Sequence, residues 1–216
     1  MKLYNSLGPN PRCVRMFLLE KELDIPKIEI DILGRENRRP AYLNKNPAGE
    51  IPALEVDDGR ILAETVAICE YIEDKHPKPA LIGTTPEEKA ETRMWQRRVE
   101  LNITEYIYNG FRFAESIELY KPYIRVLPEA APGLKAAARD KLRWLDALME
   151  GKPFIVGERF TLPDIILYVA LDFGAGAGQG LDPNLRNLTS WMARVGARPS
   201  ATASLHETAR AGGIRR

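Results

Sequence analysis

Cysteine and histidine are nearly absent: only Cys13, Cys69, His76 and His206 occur among 216 residues. Both cysteines fall inside amphipathic helical patterns, so no disulfide framework is expected and a reducing, cytoplasmic compartment is favoured. The four side chains show no metal-ligand spacing, so no metal is expected. Charge of one sign is lacking too. Lys and Arg total 31 against 30 Asp and Glu, a net +1, which provides no field to gather nucleic acid or an anionic membrane. The arginine-rich stretches Arg194 to Arg210 and Arg215–Arg216 read as solvated surface and tail. No apolar run is long enough to cross a bilayer, and the opening MKLYNSLGPNPR has no apolar core ahead of a small-residue cleavage site. A soluble chain without nucleic-acid or membrane partners is expected.

What is present suits an ordinary globular protein: 44% of residues are hydrophobic and 28% charged, enough to bury a core and too much for disorder. The length favours two modest domains. Lys2–Asn5 is a short strand signal that breaks at Ser6-Leu7-Gly8-Pro9. A helix is expected next, with Asn10 as N-cap, Pro11 at the first helical position and Val14, Phe17 and Leu18 as its buried stripe. Residues 27–32 alternate polar and apolar as a second strand, giving a βαβ opening with a parallel crossover. A short helical piece covers Arg39 to Asn44. The breaker-rich Asn46-Pro47-Ala48-Gly49-Glu50-Ile51-Pro52 then leads into a strand over Ala53–Val56. Asp57-Asp58-Gly59 turns it, Arg60–Ala63 returns antiparallel, and Thr65, Ile68, Cys69 and Ile72 mark a helix.

The stretch from His76 to Pro86 holds three prolines and a glycine and reads as a linker. The expected organisation is an α+β domain at 1–76, a linker at 77–85 and an all-α domain at 86–216. Thr161-Leu162-Pro163-Asp164 resembles a capping box with Asp in place of Glu. The helix after it, Ile165–Phe173, is apolar on nearly every face and should run through the middle of the helical domain.

Three places carry chemistry besides their structural reading. The N-terminus of a helix that follows the first strand favours an anion, including a thiolate. Asn10 there either only caps the helix or also donates its amide to a sulfur, with Ser6 as a nearby hydroxyl. Ile51-Pro52 is either an ordinary loop or a cis turn whose exposed Ile51 backbone can pair with an extended peptide. Glu64-Thr65 is either a capped helix start or a holder for an amino-acid zwitterion, Thr65 and the following amides taking the carboxylate and Glu64 the ammonium. Cys13, one residue before core-facing Val14, reads as a small, partly buried residue without a redox role.

In order and spacing these pieces resemble the glutathione transferase family across essentially the whole chain. The resemblance is carried by Asn10-Pro11, by Asn46-Pro47-x-Gly49-x-Ile51-Pro52-x-Leu54, by Leu62-Ala63-Glu64-Thr65-x-Ala67-Ile68-x-x-Tyr71 and by Phe160-Thr161-Leu162-Pro163-Asp164. Trp191 to Arg194 with Arg198-Pro199 adds to it. The family implies a thioredoxin-like domain followed by an all-helical domain, and glutathione as co-substrate. Ile51 would pair its backbone with the cysteinyl unit beside a cis Pro52, Glu64 and Thr65 would hold the γ-glutamyl zwitterion, and Arg38 or Arg39 would meet the glycyl carboxylate. Asn10 stands where omega-like relatives carry Cys and others carry or approach Ser or Tyr. That departure argues against disulfide exchange through an enzyme thiol and for a thiolate stabilised by Asn10, helix amides and Ser6, with Tyr4 a weaker candidate. The implied reaction is detoxifying attack of the thiolate on an apolar electrophile held by Leu7, Tyr106 and Phe113, in a homodimer. Ether cleavage, dehalogenation, peroxide reduction and non-catalytic binding are the alternatives.

Overall fold

The computed structural model describes residues 1–208, so Arg210, Arg215 and Arg216 of the expected tail lie outside the described residues. The chain divides into two compact units, Leu81–Arg198 and a first unit made of Met1–Ala80 with the segment from Pro199 onward.

The first unit runs β1 (Lys2–Asn5), α1 (Pro9–Glu20), β2 (Lys27–Glu29), a 3₁₀ turn at Glu36–Arg38, α2 (Pro40–Leu43), β3 (Ala53–Glu55), β4 (Ile61–Ala63) and α3 (Thr65–Lys75). Its four-stranded sheet has the order β2-β1-β3-β4. β1 and β2 are parallel, and β1–β3 and β3–β4 are antiparallel. This is the βαβ-then-ββα arrangement expected. β2 stops three residues short of the expected strand: Ile30 N–H still bonds Asn5 C=O at 2.8 Å, but the Asp31 carboxylate then accepts from Gly34 N–H at 2.8 Å and turns the chain. An Asp side chain offers the backbone a local alternative to the ladder.

α1 is buried from Pro11 through Leu18, including Arg12 and Arg15. Lys21, at its end, meets Glu73 of α3 at 2.5 Å with both side chains almost fully buried, and donates to Pro79 C=O at 2.6 Å. Removing either charge would leave the other buried without its counter-ion, a loss of several kcal/mol.

The second unit is all-α: α4 (Pro86–Val99), a π-helical turn at Glu100–Thr104, α5 (Glu105–Arg112), α6 (Ile117–Tyr120), a 3₁₀ turn at Pro128–Ala130, α7 (Ala131–Leu148), α8 (Leu162–Gly176) and α9 (Arg186–Gly196). α4 opens on a capping box of Thr85 and Glu88. The hydroxyl and amide of Thr84 also donate to Glu88 and draw its carboxyl down to about 2. α8 is buried at every residue from Leu162 to Gly174, as its lack of a polar face requires.

At the start of α8 the capping box expected for Thr161 and Asp164 is formed in both directions. Asp164 accepts from Thr161 N–H at 2.9 Å, Ile155 N–H at 2.9 Å and the Trp191 indole at 2.8 Å. Burial pushes its carboxyl up to about 6 against the pull of these donors.

The last described helix, α10 (Pro199–Ala203), belongs to the first unit and not to the helical domain expected over 86–216. Two buried guanidinium groups of α1 account for this. Arg12 donates to Ala201 C=O at 3.0 Å, and Arg15 donates to Ser204 C=O at 2.8 Å.

Candidate functional site

Register brings the chemistry-bearing turns together. Tyr4 pairs with Ala53, and Ala53 pairs with Ala63. The residues after Tyr4, before Ala53 and after Ala63 therefore leave the same end of the sheet. These are Ser6–Asn10, Ile51–Pro52 and Glu64–Thr65, and the N-termini of α1 and α3 open there as well.

The first turn differs from the expected one. Gly8, at φ 112°, is the N-cap, Pro9 is the first helical residue and Asn10 lies inside the helix without capping it. A backbone at that φ favours glycine, which explains why the cap sits here. Pro9 and Pro11 have no N–H, and Arg12 N–H bonds Gly8 C=O at 3.3 Å. Asn10 thus supplies the one open amide among the first three helical positions, and its half-buried side chain makes no hydrogen bond among the described residues. The several helix amides expected at this spot reduce to that one, preceded by the N–H groups of Leu7 and Gly8.

Ser6 does not fit the donor role expected of it. It is buried, and its hydroxyl already donates to Ile30 C=O at 2.7 Å. Tyr4 is likewise engaged, its hydroxyl donating to Glu55 at 2.7 Å.

The Ile51–Pro52 bond is cis. The Ile51 side chain is buried in a cluster with Tyr4, Ile30, Tyr42 and Ala53, while its N–H and C=O have no partner among the described residues. The loop before it is held by side-chain donors. Asn37 reaches Gly49 C=O, and Tyr42 and Asn46 both reach Glu50 C=O, each at 2.8 Å. Burial raises the Tyr42 phenol to about 12, so it stays a donor throughout the physiological range. Arg38 belongs to this bracing: it bonds Ala48 C=O at 2.9 Å and the Glu50 carboxylate at 2.6 Å. Its fork is committed within the loop, which corrects the expectation that it meets a ligand carboxylate. Gly49, at φ 65°, packs so closely that a Cβ would fall 2.5 Å from the Arg38 guanidinium. Arg39 is exposed, with one long bond of 3.4 Å to Gly34 C=O.

Glu64, and not Thr65, is the N-cap of α3, because β4 runs to Ala63 and the chain must turn in one residue. It does so at φ 70°, ψ 124°, with its side chain exposed and no side-chain cap. A non-glycine residue there costs on the order of 1–3 kcal/mol, and such strain clusters at functional sites. Thr65, Val66 and Ala67 present open amides behind it.

In the second unit, Tyr108 and half-buried Phe111 set their rings edge-on against the buried Phe173, at 5.8 and 4.9 Å. Tyr106 and Phe113 remain half-buried, as does Leu7 in the first unit. Cys13 and Cys69 are both buried and are not joined in a disulfide.

Sequence reading missed Arg15, Asn5 and the Asn37–Tyr42–Asn46 brace. The signal for Arg15 was the run Arg12 to Leu18, where two arginines stand among five apolar residues, Cys13, Val14, Met16, Phe17 and Leu18. A helix apolar on so many sides must bury its arginines as well. Arg15 donates to Asn5 Oδ1 at 2.6 Å and Ser6 C=O at 2.8 Å. Asn5 in turn donates to Glu29, whose other oxygen meets His206 Nε2 at 2.9 Å. Burial opposes the Glu29 charge, but the Asn5 amide and the His206 ring hold its carboxyl below the ordinary value.

The mixed sheet with α1 and α3, and the separate all-helical unit, define the class: a thioredoxin-like domain joined to an all-α domain. Residues 3–80 match the family model described as the glutathione S-transferase N-terminal domain, and residues 114–199 match that of the C-terminal domain. Glutathione S-transferase 2 of Saccharomyces cerevisiae is 31% identical over 207 residues, covering 93% of this chain and 87% of that protein. The crystal structure of Gtt2 from the same yeast superposes with a TM-score of 0.87 at 30% identity, over 95% of this chain and 100% of that one. A glutathione S-transferase domain-containing protein of Marinobacter aquaeolei VT8 gives 0.86 at 32% identity, over 93% and 100%. The chain belongs to the glutathione S-transferase family, as a catalytic member.

Proposed function

We propose that glutathione lies extended across the ends of β1, β3 and β4, and that Asn10 stabilises its thiolate. Adjacent strands are ~4.8 Å apart, so the three turns span roughly 10 Å, about the length of an extended tripeptide. The cysteinyl unit pairs with the Ile51 N–H and C=O. The γ-glutamyl carboxylate sits on Thr65 and the amides that open α3, and its ammonium on Glu64. Arg39 takes the glycyl carboxylate. The sulfur faces the N-terminus of α1, where the Asn10 side-chain amide and the N–H groups of Leu7, Gly8 and Asn10 favour the anion.

The thiolate then attacks an electrophilic carbon. A C–S bond forms with the sulfur electron pair, and the displaced electrons leave with a departing group or move onto an activated double bond. The protein contributes thiolate stabilisation and orientation. Leu7, on the turn that faces the sulfur, meets the apolar electrophile, and the protein acts as a cytoplasmic homodimer. The observation that carries this reading is the unpartnered polar set at one sheet end: the Asn10 side chain, the Ile51 backbone and the amides behind Glu64.

The test is the ultraviolet absorbance of protein-bound glutathione thiolate, titrated with pH in wild type and Asn10→Ala. The expected result is a thiol pKa well below its free value in wild type and higher by about one unit in the variant. An unshifted wild-type value would sink thiol activation. A shifted value indifferent to Asn10 would move the role to the backbone amides.

A further inference from the structure

Arg15 lies beneath the Ser6–Asn10 turn, and its guanidinium is used in three directions. One nitrogen donates to Asn5 Oδ1 at 2.6 Å and to Ser6 C=O at 2.8 Å, while Nε donates to Ser204 C=O at 2.8 Å. The ring continues from Asn5 to Glu29, from Glu29 to His206 at 2.9 Å, and back along the chain to Ser204. Arg12 ties the same segment with bonds to Ala201 C=O and the Ser204 hydroxyl at 3.0 and 3.4 Å. Arg12, Arg15, Asn5 and Ser204 are all buried. A planar fork satisfies three acceptors in fixed directions, which the point charge of lysine cannot do. The Ser6 carbonyl opens the turn that carries the Leu7, Gly8 and Asn10 amides, so whatever fixes it also fixes where those donors point.

We infer that Arg15 is a positioning residue for thiol activation, setting the Leu7–Asn10 turn through the Ser6 carbonyl, and that the segment Ser204–His206 completes the ring that holds its guanidinium. This rests on the reading that the turn activates the thiol. The C-terminal segment is thereby part of the glutathione site's support without touching glutathione. Sub-ångström placement matters because charge stabilisation by aimed donors depends on geometry.

The test compares wild type, Arg15→Lys and His206→Ala in two readouts: the pKa of bound glutathione thiol, and the Kd of S-methylglutathione, which has no thiol proton. Arg15→Lys is expected to raise the thiol pKa by about one unit, roughly tenfold less thiolate on the acid side, with S-methylglutathione affinity held within about twofold. kcat/KM should fall by the same factor at low pH and converge with wild type at high pH. His206→Ala, at the edge of the ring, should move the thiol pKa in the same direction by a smaller step of about threefold in thiolate. It decides the matter alone if Arg15→Lys does not fold. A shifted wild-type pKa that neither variant moves overturns the inference. So does loss of S-methylglutathione affinity with the pKa unmoved, which assigns Arg15 to scaffolding only. An unshifted wild-type pKa instead overturns the reading beneath it.

Discussion

Two helix starts in this protein face opposite ways in their chemistry. At α8 every polar group is spent: Thr161 and Asp164 cap each other, and Asp164 also accepts from Ile155 and Trp191 in a fully buried setting. At α3 the leading side chains and amides are left open: Glu64 holds a strained backbone, its side chain is exposed and no side chain caps the helix. Both begin with a short polar pair ahead of an apolar stripe. The difference teaches that a satisfied helix start serves folding, while one left open and strained stores binding capacity for a ligand.

The comparison breaks most visibly at Asp164. Asp164→Ala removes the box and leaves the Ile155 amide and Trp191 indole without an acceptor, so a loss of about 3–5 kcal/mol in urea unfolding is expected. Glutathione affinity of the folded fraction should hold, and a small stability change would undo the contrast. The next largest effect is in pH. Because burial raises the Asp164 carboxyl to about 6, the folded chain keeps a proton that the unfolded chain has released above about pH 4. The stability tied to that proton is full below pH 4 and lost as pH rises through 6. Wild type should therefore lose about 3 kcal/mol relative to Asp164→Asn across that window. A flat difference would place the carboxyl at its ordinary value.

Glu64→Gly sharpens the other side. Relief of the positive-φ strain should leave stability unchanged or raise it by up to about 1 kcal/mol, while glutathione affinity falls about tenfold as the ammonium partner is lost. Effects of the same sign would mean Glu64 is structural. Smallest of all, Asn10→Ala should shift stability by no more than about 0.5 kcal/mol, since the side chain has no partner among the described residues to lose. A larger loss in thermal melts would show that it caps the helix after all.

Much of the fold was legible in the sequence because it depends on local rules. The alternation at 27–32, the turn at Asp57-Asp58-Gly59, the apolar run at Ile165–Phe173 and the Thr161–Asp164 spacing each announce an element by periodicity or cap chemistry. The site was legible in part. Asn10, Ile51, Glu64 and Thr65 fall at one sheet end, but Arg38 and Ser6 turn out to be committed to carbonyls within the first unit. Gly8-Pro9 moved the start of α1, since only Gly8 adopts the backbone the cap needs.

By itself the sequence determined which residues can form strands and helices, where the chain turns and which polar groups stand at element ends, because propensity, period and capping act within a few residues. Only the tertiary structure decided which of those polar groups remain open. Ser6 and Ile30, Arg38 and Glu50, and Arg15 and Ser204 are up to 189 residues apart along the chain. Whether a hydroxyl or a guanidinium is free for a ligand depends on which distant acceptor the fold brings to it.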